Sequence, residues 1–513
     1  MHSPIITPAQ MRATEEAAFA RGISADALME KAGEGIARAV TKFFPTVGRC
    51  VVFAGKGHNA GDAFVAARWL AQAGWEIETR LVFPEKELSA LTSEKLRGLR
   101  EQQAAAQSGR GPGAANVATP GIGAPRPLPH FQTIILDGLL GLGSHPPLRE
   151  PIRSACREIN SLGKRAAYVV AVDLPSGLDG ESGAADNDCV VADFTITVGC
   201  AKSGLVADDA LDFVGRLEVV PLAELQPKDA GGAELAIPES LCHLLPRRKF
   251  SAYKNQFGRI GIVAGSRGFT GASIMSSLGA LHAGAGLVEL FVPEEIYQIV
   301  ASAAAPEVMV KPIKTYAGLL KEPIDVWAVG PGLGQTRASE ILKLIREAET
   351  PMVVDADGLN ILASKIETLQ AVKGPRLLTP HPGEMKRLFP NEQGSRAGIA
   401  TRFCEDQSVT LLLKGSRTIV AEAGRPLSYN TTGNPGMATG GMGDVLTGVC
   451  AALLGAKLLP NDAARLGAWL CGRAAELAIF NGTTSEESLL PRDVLDHLSG
   501  AFRDLRSGDE VVV

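Results

Sequence analysis

The sequence predicts an α/β protein of two domains, each built on a largely parallel β-sheet, and three observations support this fold class. The chain has 513 residues, whereas single hydrophobic cores stop growing at about 250–300 residues. Short Val-, Ile- and Leu-rich runs without polar alternation recur between segments of helical pattern, which is typical of βαβ units with strands buried on both faces. A polar, Gly- and Pro-containing stretch at 222–240 separates two series of such runs.

Nine apolar runs are predicted to be strands. They span 49–55, 133–138, 168–173 and 194–199 in the first half, and 259–265, 287–292, 325–330, 351–356 and 409–415 in the second. We therefore predict a first domain at 1–225, a linker at 226–242 and a second domain at 243–513. Residues 101–130 are rich in Ala, Gly and Pro and are predicted to form a disordered surface insertion.

Composition excludes several classes of protein. Apolar residues make up 45% of the chain and charged residues 21%, as in ordinary globular proteins. The net charge of −5 gives no reason to expect nucleic-acid or membrane partners. The eight cysteines form no CxxC pair and no Cys/His cluster, so neither a disulfide framework nor structural zinc is expected. With no signal-peptide pattern and no long apolar run, we expect a cytoplasmic protein.

The stretch TTGNPGMATGGMGDVLTG at 431–448 surrounds a single carboxylate with bare backbone. Gly440, Gly441 and Gly443 precede a helical run that starts near Asp444. Glycines followed by a helix N-terminus expose backbone N–H groups and form a cradle for anions. Asp444 at its mouth would take a proton from a hydroxyl that attacks a phosphoryl group. The structural alternative is a turn in which Asp444 is only the helix cap.

Three other motifs of the second half place polar residues at predicted strand ends, where ligands bind in open α/β sheets. In DADGLN (355–360), Asp355 and Asp357 are either helix caps or site residues. In TPHPGE, His381 lies between two prolines in a stiff loop, as a structural or a site residue. In LKGSRT, Lys414 is predicted at the turn of a hairpin, and its alternative is a solvated surface lysine.

In the first half, AGKGHNAGDAF (54–64) follows a predicted strand and opens a helix, again as an anion cradle. Asp62 lies near the helix start, where it is either a cap or a site residue. Asp137 and Asp173 each end a strand, so both point to the same sheet edge. Asn59, Asp137 and Ser176 offer oxygen ligands of the kind that hard cations take.

The second half resembles the ribokinase-like superfamily, and most closely its nucleotide-dependent NAD(P)H-hydrate dehydratases. The resemblance rests on GNPGMATGGMGDVLTG with GSRGFTGA, LHAGAGLVEL, GPGLG, DADGLN, LTPHPGEM and LLKGSRT in order. It implies a ribokinase-like α/β domain that binds an adenine nucleotide and a hydrated dinucleotide. The residues implied for the nucleotide are Lys414, Gly415, Ser416, Arg417, Thr418, Gly440, Gly441 and Gly443. Those implied for the hydrated dinucleotide are Ala272, Gly332, His381 and Asp444.

The first half resembles the NAD(P)H-hydrate epimerase domain. The motifs are TPAQMR, LMEKAG, the glycine-rich loop, DGLLG, DLPSG and TVGCAKSGL. They imply a Rossmann-like, three-layer α/β/α domain with K⁺ bound by Asn59, Asp137 and Ser176. The residues implied for substrate are His58, Asn59, Ala60, Gly61, Asp62, Gly141, Leu142, Gly143, Ser144, His145, Pro146, Pro147 and Asp173.

The glycine-rich loop departs from the family pattern GxGNNGGDG at three positions. His58 replaces an Asn, and Ala60 and Ala63 replace glycines. The added Cβ atoms are expected to disturb the loop if its backbone needs a positive φ or a close approach to ligand. The alternative for this half is then a non-catalytic nucleotide-sensing or interaction module.

Together the two resemblances imply a bifunctional enzyme that repairs hydrated nicotinamide cofactors. The first domain would interconvert the R and S hydrates, with Asp62 or Asp173 handling the proton. The second would dehydrate the S form, with Asp444 as base, Mg²⁺ present and ADP, or alternatively ATP, as phosphoryl donor. The family also implies a homo-oligomer. The rival interpretation is a small-molecule kinase that keeps its product phosphorylated, since the fold alone does not fix the reaction.

Overall fold

The computed structural model describes residues 3–108, 132–165, 167–227, 232–245, 247–480 and 484–507. The chain divides into two compact units. The first unit is Ile5–Ala230, and the second is Met1–Pro4 with Gly231–Val513. The stretch predicted as a linker, 226–242, includes a strand and a short helix of the second unit. No helix within the described ranges is long and apolar enough to cross a bilayer.

The first unit is built on a parallel sheet. Its strands are β1 (Ile5–Ile6), β2 (Arg49–Ala54), β3 (Glu76–Leu81), β4 (Thr133–Gly138), β5 (Ala167–Val172), β6 (Phe194–Val198), β7 (Ala201–Lys202) and β8 (Arg216–Val220). Among the described residues, six of them pair in the order β3-β2-β4-β5-β6-β8, every pair parallel, while β1 pairs with β7. The helices are α1 (Pro8–Ala20), α2 (Ala25–Phe43), α3 (His58–Gln72), α4 (Ala90–Ser108), α5 (Ile152–Gly163) and α6 (Leu211–Val214).

Both faces of this sheet are covered, which explains its continuous apolar strands. Phe53 and Ile135 pack with Ile159 of α5 in one core cluster. Val52 and Leu136, the alternate residues of the same strands, are fully buried as well. Because successive strand residues point to opposite faces, helices must cover both, as the predicted three layers require.

The second unit holds a longer sheet. Its strands are β9 (Ala233–Ala236), β10 (Arg259–Val263), β11 (Leu287–Pro293), β12 (Val308–Ile313), β13 (Val326–Val329), β14 (Met352–Val354), β15 (Arg376–Leu378), β16 (Thr410–Leu413), β17 (Ile419–Ala421) and β18 (Leu427–Asn430). They pair in the order β12-β11-β10-β13-β14-β15-β16-β17-β18-β9. Among the described residues the pairs are parallel except those that β17 makes with β16 and β18.

The helices of the second unit supply its core and the edge of its site. They are α7 (Pro238–Leu241), α8 (Thr270–His282), α9 (Tyr297–Ala303), α10 (Ala338–Glu347), α11 (Asp357–Ala363), α12 (Pro382–Leu388), α13 (Arg396–Gln407), α14 (Met442–Gly455), α15 (Pro460–Phe480) and α16 (Pro491–Ser507). Val449 of α14 and Trp469 of α15 lie in one core cluster with Ile262 of β10. The long apolar α14 is thereby fixed against the sheet, and its first turn is held in place.

The predicted fold class and all nine predicted strands are confirmed. The strands that were not predicted include β3 and β12 at sheet edges, whose sequences EIETRL and VMVKPI are partly exposed and interrupted by charges or proline. The prediction of disorder from residue 101 was wrong at its start, since α4 continues to Ser108. The remainder of that prediction, 109–130, lies outside the described residues.

Close packing of α8 on α14 depends on Gly448 and yields a stability prediction. A Cβ at position 448 would lie 2.0 Å from the Ser276 carbonyl oxygen and 2.6 Å from the Ala280 nitrogen. Both are backbone atoms, so Gly448→Ala forces the helices apart and is expected to cost about 1–3 kcal/mol. The midpoint of thermal unfolding of the second unit measures this loss of stability. Gly318→Ala is the matched control, because its Cβ would meet nothing within 4 Å. Equal midpoints for the two variants would contradict the packing argument.

Candidate active sites

The glycine-rich stretch of the second unit forms the beginning of α14. Gly441 is the N-cap, in the left-handed region at φ 95°, and makes no side-chain cap bond. A Cβ at Gly440 would meet nothing within 4 Å, so its backbone faces open space. Asp444 lies within the first helical turn and is not the cap, which removes the structural alternative for it. The N–H groups at the helix start are thus exposed beside a carboxylate.

Two oppositely charged side chains lie beneath this helix start. Asp355, which follows β14, is buried, and its Oδ1 is 2.6 Å from the Lys414 Nζ. Thr447 of α14 donates its hydroxyl to Asp355 Oδ2 at 2.8 Å. A Cβ at Gly443 would lie 3.3 Å from the Lys414 Nζ. Lys414 therefore reaches the glycine-rich stretch and is not a solvated turn lysine.

Asp444 has an acid–base property suited to proton transfer. Burial and the neighbouring Asp355 carboxylate raise the pKa of Asp444 to about 7, while the Lys414 ammonium opposes the rise. Burial lowers the pKa of Lys414, but Asp355 and Glu384 outweigh it, so the net direction is up. Asp355 and Lys414 accordingly form an ion pair, and Asp444 is poised between its two forms near neutral pH.

His381 and Glu384 lie beside this cluster. His381 is the N-cap of α12, where its Nδ1 accepts from the Gly383 N–H at 3.0 Å. Glu384 accepts the His381 N–H at 2.8 Å and lies 3.9 Å from the Lys414 Nζ. His381 therefore has a capping role, and its half-exposed ring also borders the Lys414 site.

Ala272 and Gly332 meet at the start of α8. Gly332 has φ 60°, and a Cβ built there would lie 3.0 Å from the Ala272 Cβ. The loop that contains Gly332 is also tied to the start of α11, because Gly334 donates its N–H to Asp357 at 2.8 Å. Asp357 is thus a loop-positioning residue at the first position of α11, whereas Asp355 belongs to the Lys414 cluster.

The remaining predicted nucleotide residues form the turn between the antiparallel strands β16 and β17, which confirms the predicted hairpin. Gly415 and Arg417 have positive φ values of 146° and 54°. The Ser416 carbonyl accepts from Arg396 at 2.9 Å, and the Thr418 hydroxyl donates to the Gly415 carbonyl at 3.1 Å. Of the predicted nucleotide residues 414–418, Lys414 lies next to the glycine-rich stretch.

In the first unit, the glycine-rich loop starts α3 at His58, with Gly57 as the N-cap. Asp62 lies one turn into the helix, so it is not the cap. The positive φ that would make Ala60 and Ala63 disturb the loop is not found, because both lie inside α3 and neither has a positive φ. The Ala63 Cβ lies 2.7 Å from where a Cβ of Gly138 would be, so Gly138 on β4 leaves the space for it.

The three predicted cation ligands are joined by one hydrogen-bond network. Asn59 donates its Nδ2 to the Leu140 carbonyl at 2.9 Å, and the Leu140 N–H donates to the Ser176 Oγ at 3.0 Å. Ser176 in turn donates its Oγ and N–H to the two oxygens of Asp137 at 2.7 and 2.8 Å. Burial raises the pKa of Asp137 to about 6, against these hydrogen bonds.

One atom of this network, the buried Oδ1 of Asn59, accepts no hydrogen bond from the part of the chain that the structure describes. A Cβ at Gly141 would lie 3.2 Å from that oxygen and would fill the space in front of it. An orphaned amide oxygen in one hydrogen-bond network with a buried carboxylate offers oxygen ligands to a cation, so these residues fit K⁺.

A second cluster of the first unit surrounds Asp173. This residue has φ 66°, an uncommon conformation for a non-glycine residue. Its Oδ1 accepts from Lys202, which is buried, and from the Thr197 hydroxyl at 3.1 Å. Burial, Asp173 and Glu15 raise the pKa of Asp62 well above its usual range, with partial opposition from Lys202. These effects favour the protonated form of Asp62, which lies near the Lys202–Asp173 ion pair.

The predicted substrate loop 141–147 is tethered at several points. Ser144 accepts the Gly177 N–H at 2.9 Å, and the Leu142 carbonyl accepts from Arg12 at 2.7 Å. His145 Nδ1 lies 2.9 Å from Asp179 Oδ2. Hydrogen bonds from Ser182 and His145 outweigh burial and lower the pKa of Asp179 to about 2. Gly143, Pro146 and Pro147 complete the loop.

Sequence reasoning missed Glu15 and Lys202 in the first unit, and Glu384 and Thr447 in the second. Burial and the Asp173 carboxylate raise the pKa of Glu15, which shows that it belongs to the Asp62 cluster. Lys202 was part of TVGCAKSGL, and a lysine in an otherwise apolar strand segment was the available signal. Glu15 and Thr447 lie within helices, where no local pattern separates them from surface residues.

Comparison with known proteins places both halves of the chain. A family model described as NAD(P)H-hydrate dehydratase matches residues 260–498, and one described as YjeF-related protein N-terminus matches residues 25–204. A crystal structure of ADP/ATP-dependent NAD(P)H-hydrate dehydratase from Bacillus subtilis, co-crystallised with ATP and Mg²⁺, has a TM-score of 0.46 and 27% identity. It covers 53% of this chain and 98% of that one.

Two relatives match nearly the full length. A bifunctional NAD(P)H-hydrate repair enzyme of Moorella thermoacetica is 33% identical over 95% of this chain and 94% of its own. One of Gloeobacter violaceus is 35% identical over 95% of this chain and 97% of its own. The chain belongs to the family of bifunctional NAD(P)H-hydrate repair enzymes.

Proposed function

We propose that the second unit dehydrates S-NAD(P)H hydrate with an adenine nucleotide as phosphoryl donor, and that the first unit interconverts the R and S hydrates. Membership of the family supports both activities. The observation that carries the dehydratase is Asp444, a carboxylate with a pKa of about 7 at the exposed start of a glycine-capped helix. That start provides N–H donors for a phosphate, and the carboxylate provides a base beside it.

In the proposed dehydration, Asp444 takes the proton of the C6 hydroxyl while the oxygen of that hydroxyl bonds to the terminal phosphorus of the nucleotide. The bond from that phosphorus to the bridging oxygen breaks, and ADP becomes AMP. Phosphate then leaves C6, with electrons supplied by the ring nitrogen, and loss of a C5 proton restores the dihydronicotinamide. N–H groups at Gly440–Gly443 stabilise the developing negative charge. Lys414, held by Asp355, stands next to them as a fixed positive charge.

We propose that Mg²⁺ enters with the nucleotide. Among the described residues, no group of three or more His, Cys, Asp or Glu side chains is arranged to hold a metal ion. Mg²⁺ in such sites is bound mainly by phosphates and waters with one or two carboxylates, and it would offset the phosphate charge. ADP is the preferred donor in this proposal and ATP the alternative.

The dehydratase should lose activity in mild acid. Below a pKa of about 7 the Asp444 carboxylate is protonated and cannot accept a proton, so kcat falls as pH falls through this value. In Asp355→Asn one of the charges that raises the Asp444 pKa is gone, so the acidic limb shifts to lower pH. Rate profiles at saturating ADP for both proteins measure the shift. A limb that stays in place would show that Asp444 does not cause it.

For the epimerase we propose that Asp62 is the proton donor and that Asp173, which forms an ion pair with Lys202, is its neighbour. No hydrogen bond from the described residues counteracts the rise of the Asp62 pKa. Asp62 would protonate the C6 hydroxyl as it leaves as water, and it would take the proton back when water adds to the other face. Of the two candidates that the sequence left open, we therefore propose Asp62, because the rise of its pKa favours its protonated form.

We propose that K⁺ is bound by Asn59, Asp137 and Ser176, where it would offset the buried Asp137 charge and order the loop that begins at Gly141. Its test is the epimerisation rate with K⁺ or with tetramethylammonium, an ion too large for the space that Gly141 leaves. Wild-type protein should be faster in K⁺. Asn59→Ala removes the orphan oxygen and should abolish the difference. A wild-type rate that is identical in both salts would contradict the site.

A further inference from the structure

Phe269 is an aromatic residue that the folded unit does not bury, since 63% of it is exposed. Its backbone is nevertheless held in place. Its N–H donates to the Ser266 carbonyl at 2.9 Å, and the Ser266 hydroxyl donates to the Gly332 carbonyl at 2.8 Å. Phe269 is the N-cap of α8 and makes no side-chain cap bond. The ring therefore projects from a fixed turn, and neither core packing nor helix capping explains an aromatic side chain at this position.

The position of this ring places it at the dehydratase site. A Cβ built on Gly332 would lie 2.9 Å from the Phe269 Cβ and 3.0 Å from the Ala272 Cβ. Further along α8, Met275 Cγ is 4.0 Å from the Cβ position of Gly441, the cap of α14. Six residues of helix rise by about 9 Å. Phe269 is therefore separated from the glycine-rich stretch by about 9 Å along α8. This is roughly the length of a nicotinamide ring with its ribose.

We propose that Phe269 packs its ring against the nicotinamide half of the hydrated dinucleotide and so positions the C6 hydroxyl toward Asp444. This inference rests on the proposed dehydratase function. Because the hydroxyl has to reach Asp444, the nicotinamide half lies at the start of α14, which Met275 of α8 approaches. An exposed aromatic face gains by covering another ring, and a ring held on a fixed backbone positions its ligand at low entropic cost.

The chain offers a matched control in Phe250, which is fully exposed and lies in the same unit, before β10. Substitution of either residue removes the same exposed ring. If ring exposure mattered only for solubility, Phe269→Ala and Phe250→Ala would behave alike. Phe269→Tyr keeps the ring at the site and serves as the conservative variant.

The experiment is steady-state dehydration with two substrates: S-NADH hydrate, and the hydrate of reduced nicotinamide mononucleotide, which lacks the adenosine half. For Phe269→Ala we expect KM to rise about tenfold for both hydrates, with the KM for ADP unchanged. Phe269→Tyr and Phe250→Ala should keep the wild-type values. A wild-type KM in Phe269→Ala would overturn the proposal. So would an increase limited to the full dinucleotide, which would place the ring at the adenosine half.

A changed molar mass in solution, with KM intact, would instead make Phe269 part of an interface between copies and would also overturn the proposal. The wild-type protein distinguishes a failure of the proposed dehydratase function from a failure of the proposed role of Phe269. Failure of the wild type to dehydrate either hydrate refutes the dehydratase function itself. Turnover by the wild type with an unaffected Phe269→Ala variant refutes only the role of Phe269.

Discussion

Replacement of Asp444 by asparagine should lower kcat for dehydration by about 10²–10⁴-fold, the range that a positioned general base supplies. The amide keeps the size of the side chain but cannot accept the C6 hydroxyl proton. Since Asp444 lies in the first turn of α14 and not at its cap, the helix start should survive the change. Initial rates of NADH recovery from purified S-NADH hydrate, with ADP and Mg²⁺ saturating, measure the effect.

Asp406→Asn is the matched control for this prediction. Asp406 is an exposed carboxylate near the end of α13, just before β16 and so at the amino-terminal edge of the sheet. The same substitution there should leave kcat unchanged. Epimerisation by the Asp444→Asn protein should be normal, because the first unit is intact. A kcat within a few fold of wild type in Asp444→Asn would remove Asp444 from the role of base.

Replacement of Asp62 by asparagine should lower the epimerisation rate by about 10²–10⁴-fold without effect on dehydration of the pure S hydrate. The substitution removes the proposed donor, a carboxyl group whose pKa is raised by burial, Asp173 and Glu15. Exchange between the two hydrates, followed by chromatography in the absence of nucleotide, gives the rate directly.

Asp212→Asn provides the comparison within the first unit. Asp212 is exposed and lies in α6, just before β8 and thus at the sheet edge opposite to Asp173. The Asp212→Asn protein should interconvert the two hydrates at the wild-type rate. If Asp62→Asn keeps that rate while Asp173→Asn loses it, the assignment of donor and neighbour is reversed.

Local patterns were sufficient to predict the nine apolar strands and the two glycine-rich helix starts. An uninterrupted apolar run between turn residues indicates a buried parallel strand, and glycines before a helical run indicate an exposed helix start. The same local view could not separate Asp62 from Asp173. Their difference depends on Lys202, which is 29 residues beyond Asp173 and pairs with it only in the folded chain.

The second site shows the same limit. Asp355 could not be told from a helix cap by sequence, because its partners Lys414 and Thr447 are 59 and 92 residues away. The Ala60 and Ala63 substitutions suggested a damaged loop, yet the helix that contains them and the glycine at 138 accommodate both. The predicted homo-oligomer, the cytoplasmic location and the domain limits stay predictions.

One progress curve tests the central claim that both sites work in one chain. Purified protein receives a mixture of R- and S-NADH hydrate with Mg²⁺, K⁺ and ADP, and the return of dihydronicotinamide absorbance is followed. We expect a single course to complete recovery, because epimerisation feeds the R form into dehydration. Recovery that stops at the S fraction would contradict the epimerase assignment. No recovery with ADP or ATP would contradict the repair function as a whole.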